Sequence, residues 1–164
     1  MAGVEKDPTL AASITRTLLA TAERLGADPK ALVAEIGIPS ATVEDPDGRV
    51  PVRAHIELFR RAVEVTRRPD FALEVGRAFR PGTLSVLSHA AMNAPDLRSA
   101  WSTLVRYWGL VAEGTRLGLS EVGDQAVMAF EVTDPSLPFA RQGRESIAAG
   151  QVLFARWLTQ RDLR

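Results

Sequence analysis

The sequence predicts an α+β protein that is mostly helical, with six or seven helices packed against a small antiparallel β-hairpin or sheet. Three observations carry this. In PDLRSAWSTLVRYWGLVAEG, Pro95 to Gly114, the residues Leu97, Trp101, Leu104, Trp108 and Val111 recur at steps of four and three, which sets them on one stripe of a helix. From Arg116 to Val132 the alternation shortens to about two, on either side of Gly123-Asp124, a favoured two-residue hairpin loop. Glycine and proline signals at Gly26, Gly37 with Pro39, Pro81-Gly82 and Gly114 separate the periodic stretches.

Taken in order, residues before about Pro8 read as a loose terminus. A first helix places Ile14, Leu18, Ala22 and Leu25 on one side and ends at Gly26, where a left-handed residue is cheapest. Asp28-Pro29 opens a second helix as N-cap and first helical residue, with Leu32, Val33 and Ile36 inward, and Gly37 with Pro39 closes it. Ser40 to Arg49, containing Asp45-Pro46-Asp47-Gly48, reads as a loop with a turn inside. Val50-Pro51 starts a third helix whose stripe is Val52, Ile56, Phe59, Val63 and Thr66. Arg67-Arg68-Pro69 breaks it, and Asp70 is placed to cap a short helix from Phe71 to about Phe79. Leu84 to Met92 reads as another short helix. Asn93 caps the tryptophan helix, Pro95 sits in its first turn, and the helix runs to about Ala112. After the hairpin, a long helix is expected from about Phe139 to Leu158 or beyond. Its small residues Gly143, Ala148, Ala149 and Gly150 permit close approach, and Ile147, Phe154 and Leu158 form its core face.

Composition narrows the function. Lys plus Arg equals Asp plus Glu at 20 each, for a formal net charge of zero. Phosphate neutralisation supplies most of the affinity of a nucleic-acid binder, so a balanced chain is a poor candidate for gripping DNA or RNA itself. Low net charge also permits self-association. The chain has no Cys, which removes disulfides, thiolate metal sites and cysteine nucleophiles, and fits a reducing cytoplasmic setting. No apolar run approaches the roughly 20 residues that span a bilayer, and MAGVEKDPTL lacks the apolar core of a secretory signal. The 164 residues are enough for one domain with a real core.

Reactive groups are sparse. The two histidines, His55 and His89, lie far apart in sequence, and no HExxH, GxSxG, Walker or GxGxxG pattern occurs. Each imidazole reads first as a surface group or a hydrogen-bonded core group; His89, in an Ala-rich apolar stretch, is the one that could contact a ligand in a pocket. Asp45, Asp47, Glu131 and Asp134 lie in or beside turns, where capping and solvation account for them. Arg60, Arg61, Arg67, Arg68, Arg77 and Arg80 interleave with Glu57, Glu64 and Glu74 at helical spacings, the pattern of a solvated, ion-paired face. LLATAERLGADPKALVAEIGI has the outline of a helix-turn-helix, but its second helix offers one cation, Lys30, and carries Glu35, so it reads as a structural helical hairpin. Trp101, Tyr107, Trp108 and Trp157 are either core or the wall of an apolar cavity.

Several segments together resemble the N-terminal regulatory, arabinose-binding-like domain of AraC-family transcriptional regulators. They are LLATAERLGADPKALVAEIGI, then RVPVRAHIELFRRAVEVTRRPDFALEVGRAF, then PGTLSVLSHAAMNAPDLRSAWSTLVRYWGLV, the best match, and the hairpin TRLGLSEVGDQAVMAFEV. Two departures are local: Ser85 stands where the family usually has a second Gly, and Asp96 where it has Thr, Asp96 still suiting a helix N-terminus. Family members continue with further strands and a helix, then a C-terminal domain with two helix-turn-helix units. The expectation is therefore a chain cut before the DNA-binding domain, by design or as a natural fragment. If sensor strands are missing, the edge of the hairpin over Arg116–Val132 is open to pairing with another copy.

The resemblance implies one ligand-sensing and dimerising domain over residues 1–164, not an enzyme, acting in the cytoplasm. It implies a small-molecule effector, a homo-oligomer, and operator DNA reached only through the missing domain, with no membrane partner, cofactor or metal. Candidate ligand-binding residues are His89, Trp101, Tyr107, Trp108 and Phe130, around a pocket bordered by the tryptophan helix, the His89 segment and the hairpin. The competing readings are a ligand-free homodimerisation module and, further off, a small enzyme or haem sensor using His89.

Overall fold

The computed structural model describes residues 7–80, 82–84, 86–138 and 140–162. The loose terminus expected before Pro8 falls almost wholly outside them, as do Pro81, Ser85 and Phe139. Among the described residues the order is β1 (Thr9–Ala11), α1 (Ala12–Arg24), α2 (Pro29–Ile36), α3 (Ser40–Glu44), β2 (Arg49–Pro51), α4 (Val52–Thr66), α5 (Phe71–Ala78), α6 (Val86–Met92), α7 (Leu97–Tyr107), a 3₁₀ turn (Trp108–Leu110), β3 (Thr115–Val122), β4 (Gln125–Val132) and α8 (Arg141–Thr159). The fold is mostly helical α+β, as the periodicities predict.

The caps show why several boundaries fall where they do. Asp28 accepts a bond from the Lys30 N–H at 2.9 Å, with Pro29 as the first helical residue. Gly37 closes α2 in the left-handed conformation at φ 76°. The tryptophan helix is capped by Asp96, whose Oδ1 accepts from the Ser99 N–H at 2.7 Å, and not by Asn93. Asn93 instead finishes α6, its Nδ2 donating to the His89 carbonyl at 2.8 Å. Asp70 precedes α5 without capping it through its side chain, because its carboxylate faces the Arg68 guanidinium at 2.9 Å.

Three further departures concern short elements. The loop expected from Ser40 contains the one-turn helix α3, which buries Val43. Val50-Pro51 belongs to a strand before α4 begins. β2 pairs antiparallel with β1 in the register Leu10↔Val50, and three-residue strands are too short to show alternation. β1 also bonds to the chain leaving the 3₁₀ turn, Ala11 N–H to the Val111 carbonyl and Glu113 N–H to the Thr9 carbonyl, both 2.8 Å. The Arg49 guanidinium fastens that junction by donating to the Thr9 carbonyl at 2.9 Å and the Leu110 carbonyl at 2.6 Å. Finally, α7 tightens into the 3₁₀ turn at Trp108 instead of continuing to Ala112.

The buried residues form two clusters. One gathers Leu18, Leu32, Val33, Leu58, Phe59, Phe71 and Val75 from α1 to α5. The other gathers Leu87, Ala100, Leu104, Trp108, Val111 and Leu117 from α6, α7, the 3₁₀ turn and β3, with Phe130, Ile147 and Phe154 partly buried against it. Helix α4 feeds both, through Phe59 and Val52. Its buried face is Val52, His55, Leu58, Phe59 and Ala62, rotated from the expected stripe, with Ile56 and Val63 half-buried. Helix α8 lies on α5 at close range. A Cβ added at Gly76 would stand 2.6 Å from the Ala149 Cβ and from the Ser146 carbonyl oxygen. The small residues expected to allow such an approach do so at Ala149 and Gly150, whereas Ala148 is exposed and a Cβ at Gly143 would meet nothing nearer than the Ala140 Cβ at 3.9 Å.

Strands β3 and β4 pair antiparallel from Thr115↔Val132 to Val122↔Gln125, with Gly123 at φ 63° in the turn. Among the described residues neither strand has a further strand beside it. Part of the arginine face is ion-paired at the expected spacings, Arg60 with Glu57 and Glu64, Arg61 with Glu64 at 2.9 Å and Arg77 with Glu74 at 2.6 Å, while Arg61 also reaches Glu35 of α2 at 2.7 Å and Arg80 donates to the Arg77 and Phe79 carbonyls. No helix among the described residues is long and apolar enough to cross a membrane.

Candidate functional site

A cavity of about 490 Å³ lies where the two core clusters meet. Helix α4 contributes Val52, His55, Ile56 and Phe59 to its wall, spaced three, one and three apart and therefore on one face. Leu104 of α7 and Trp108 of the 3₁₀ turn close one side, and Thr115, Phe130 and Val132 of the hairpin close the next. Helix α8 lays Ile147, Gln151, Phe154 and Trp157 along another side, and Leu84 and Ser88 reach in from the α6 segment. Trp108 is oriented at both ends. Its Nε1–H donates to Thr115 Oγ1 at 2.9 Å, and its ring meets Phe130 edge-on at 6.3 Å between centroids.

The wall is mainly apolar, and several of its polar atoms are already engaged. His55 is 7% exposed and its Nδ1 lies 3.0 Å from Thr15 Oγ1. Ser88 Oγ accepts from the Leu84 N–H at 3.0 Å. Gln151 Oε1 is buried without a hydrogen-bond partner. The charged members are Arg77, Arg80 and Arg144, and among the described residues no Asp or Glu joins them. A second, smaller hollow shares Phe130, Arg144, Ile147 and Gln151 with the cavity and adds Trp101, whose buried Nε1 also lacks a partner.

The structure thus gathers some of the sequence candidates and separates others. Trp108 and Phe130 line the cavity together, and Trp101 lines the adjoining hollow. His89 and Tyr107 line neither; His89 is exposed, and Tyr107 is 44% exposed with the Arg106 guanidinium 5.5 Å above its ring. Their separation from Trp108 follows from geometry: Tyr107 is adjacent in a helical turn and points about 100° away. The cavity-lining histidine is His55. Its spacing to Val52 and Phe59, three and four residues, already places it on the stripe of α4. Gln151 carries a similar signal, a polar residue set between Ile147 and Phe154 on the apolar face of α8.

Burial pushes the His55 pKa down to about 4. The unfolded chain takes up a proton near pH 6.5, while the folded chain keeps the imidazole neutral to about pH 4. Folding stability is therefore complete above pH 6.5 and declines as the pH falls toward 4, by up to about 3 kcal/mol from this group. His55→Gln should flatten the pH 6.5–5 part of the stability profile measured by urea denaturation. An equally steep profile in the variant would show that His55 is not the group responsible.

Residues 26–164 match the family described as the arabinose-binding domain of AraC transcription regulators, N-terminal. The chain belongs to this family. The AraC-type domain match takes in α2 to α8, the source of most of the cavity wall, and leaves out β1 and α1, which supply Leu10 and Ile14. The chain is also similar to the HTH-type transcriptional regulator VirS of Mycobacterium tuberculosis, from strains CDC 1551 / Oshkosh and ATCC 25618 / H37Rv, at 26% identity over 136 residues in each case. That alignment covers 82% of this chain and 40% of each VirS relative. The AraC-type domain family is one of transcriptional regulators and not an enzyme family.

Proposed function

We propose that this AraC-type domain senses a small-molecule effector in the cavity between its two cores, and passes the result to an attached helix-turn-helix domain in the cytoplasm. The supporting observation is the position of the cavity: one wall is α4, which belongs to both clusters, and the opposite walls are Trp108, Phe130 and α8. A ligand there touches elements of both cores, so it favours one packing of them over another. Regulation requires unequal affinity for two such packings, not tight binding alone. Trp108 and Phe130 are the proposed contacts, with Trp101 reached through the adjoining hollow. DNA contact belongs to the attached domain, in keeping with the zero net charge.

Dimerisation is part of the same proposal. The outer edges of the β3–β4 hairpin lack further strands among the described residues, and Val122 and Val127 are exposed on it. A second copy of this chain is the proposed occupant. Sedimentation equilibrium should show a dimer that Val127→Lys weakens; a monomer at all accessible concentrations would remove this part.

Sensing is tested by thermal denaturation across amino-acid, fatty-acid and aromatic libraries. A ligand at one hundred times its Kd adds about 2.7 kcal/mol, or several degrees at about 2–4 °C per kcal/mol. At least one compound should raise Tm with concentration. No shift from any of them would count against sensing by this domain.

A further inference from the structure

We infer that the effector is an amphipathic organic anion, its carboxylate held at the rim by Arg77, Arg80 and Arg144 beside the start of α8 and its apolar body lying against Trp108 and Phe130. This rests on the sensing proposal and narrows it. The chain as a whole balances its charges at 20 and 20, yet the cavity wall carries three guanidinium groups and, among the described residues, no carboxylate. Arg77 shares Glu74 with Arg24, at 2.6 Å and 3.0 Å, so one carboxylate serves two cations. Arg80 donates to the carbonyls of Arg77 and Phe79 at 2.6 Å and 3.1 Å, and among the described residues pairs with no acid.

The backbone adds to this field. Helix α8 begins at the cavity, with Ala140 and Gly143 in the wall. Its N-terminus has no side-chain cap and no acidic residue in its first turn, and Arg144 sits there. The first N–H groups of a long helix and its positive dipole end attract an anion. The rest of the wall is mainly apolar: the hydroxyl of Thr115, the hydroxyl of Ser88 and the ring of His55 are engaged with protein partners, and among the described residues Gln151 Oε1 is the one buried polar side-chain atom there without one. A sugar would bury many hydroxyls without partners there, which costs free energy for each. A single charged head on an apolar body meets both parts of the wall.

The test uses one chain length with three head groups: decanoate, 1-decanol and decylamine, below micelle-forming concentrations, with 4-butylbenzoate as an acid of different shape. Each is titrated into the protein by calorimetry and thermal denaturation. The expected result is that at least one acid binds ten-fold or more tighter than decanol and that decylamine is weakest. Arg80→Gln and Arg144→Gln, both at exposed positions, should weaken acid binding ten-fold or more and leave decanol binding unchanged. Decanol or decylamine binding as tightly as both acids would overturn the anion inference while leaving sensing in place. So would a compound from the wider libraries that lacks an acidic group and raises Tm while neither acid does. Failure of every compound, charged or neutral, would remove the sensing proposal itself.

Discussion

Trp108→Ala is expected to lower the stability of the domain by about 3–5 kcal/mol, and its Tm by a figure on the order of 10 °C. Trp108 is 5% exposed and packed in the second core cluster. Its indole spans the gap between the 3₁₀ turn and β4, edge-on to Phe130, and its Nε1–H holds Thr115. Removing it deletes the transfer energy of a large aromatic, extends the cavity on one side, and leaves Thr115 Oγ1 without its donor. Trp108→Phe keeps most of the apolar area and should cost less than half as much. Paired melts of the two variants and the parent measure this. A Trp108→Ala loss below about 1 kcal/mol would mean that the indole is not a structural wall.

Gly76→Ala is expected to destabilise, although alanine is favoured over glycine inside a helix by about 1 kcal/mol. Steric overlap decides the sign. The new methyl would lie 2.6 Å from both the Ala149 Cβ and the Ser146 carbonyl oxygen, and the second of these is backbone that cannot rotate aside. The two helices must separate, and separation loosens the contact that carries Arg77, Phe79 and the α8 wall of the cavity. Overpacking of this kind costs about 1–3 kcal/mol beyond any propensity gain, and Gly76→Val more. Gly143→Ala is the matched control. A Cβ there meets nothing closer than 3.9 Å, so the same change should stabilise by a few tenths of a kcal/mol or more. Opposite signs in the two urea-denaturation midpoints are the expected result. A stabilised Gly76→Ala protein would show that α5 and α8 are not in close contact.

The long periodic stretches were legible because each is decided locally. The Leu97–Trp101–Leu104–Trp108 stripe, the Gly123-Asp124 hairpin and the Asp28-Pro29 helix start depend on residues within a turn or two of one another, and all three appear in the structure. The buried face of α4 is rotated by one residue from the Val52–Ile56–Phe59–Val63 stripe, because His55, a hydrogen-bonded core imidazole, and Leu58 lie inside the apolar arc. β1 and β2 escaped notice because three residues show no alternation and their pairing joins positions forty apart in the register Leu10↔Val50. Asn93 and Asp96 are both good capping residues. Only the position of the following N–H groups shows that Asp96 starts α7 and Asn93 ends α6.

The cavity belongs to a different order of information. Periodicity tells which side of Ile56, Phe59, Phe130 or Phe154 faces inward, but not whether the facing element fills the space. That depends on how α8 rests on α5, a contact set by Gly76 and Ala149, which lie far apart in the chain. For the same reason the aromatic candidates divided. Trp108 and Phe130 reached the cavity, while Tyr107, one residue before Trp108, faces solvent. Arg144 carried no signal that a lone sequence could separate from an ordinary amphipathic helix.

The central claim is that an effector enters the space walled by Trp108. The protein has three tryptophans, so its nitrogen-15 spectrum should hold three indole N–H signals, one each from Trp101, Trp108 and Trp157. Titrating the compound that raises Tm most, the account predicts that the Trp108 and Trp157 signals move together along one saturation curve, matching the calorimetric Kd. A saturating compound that leaves the Trp108 indole unmoved while shifting signals elsewhere would contradict it.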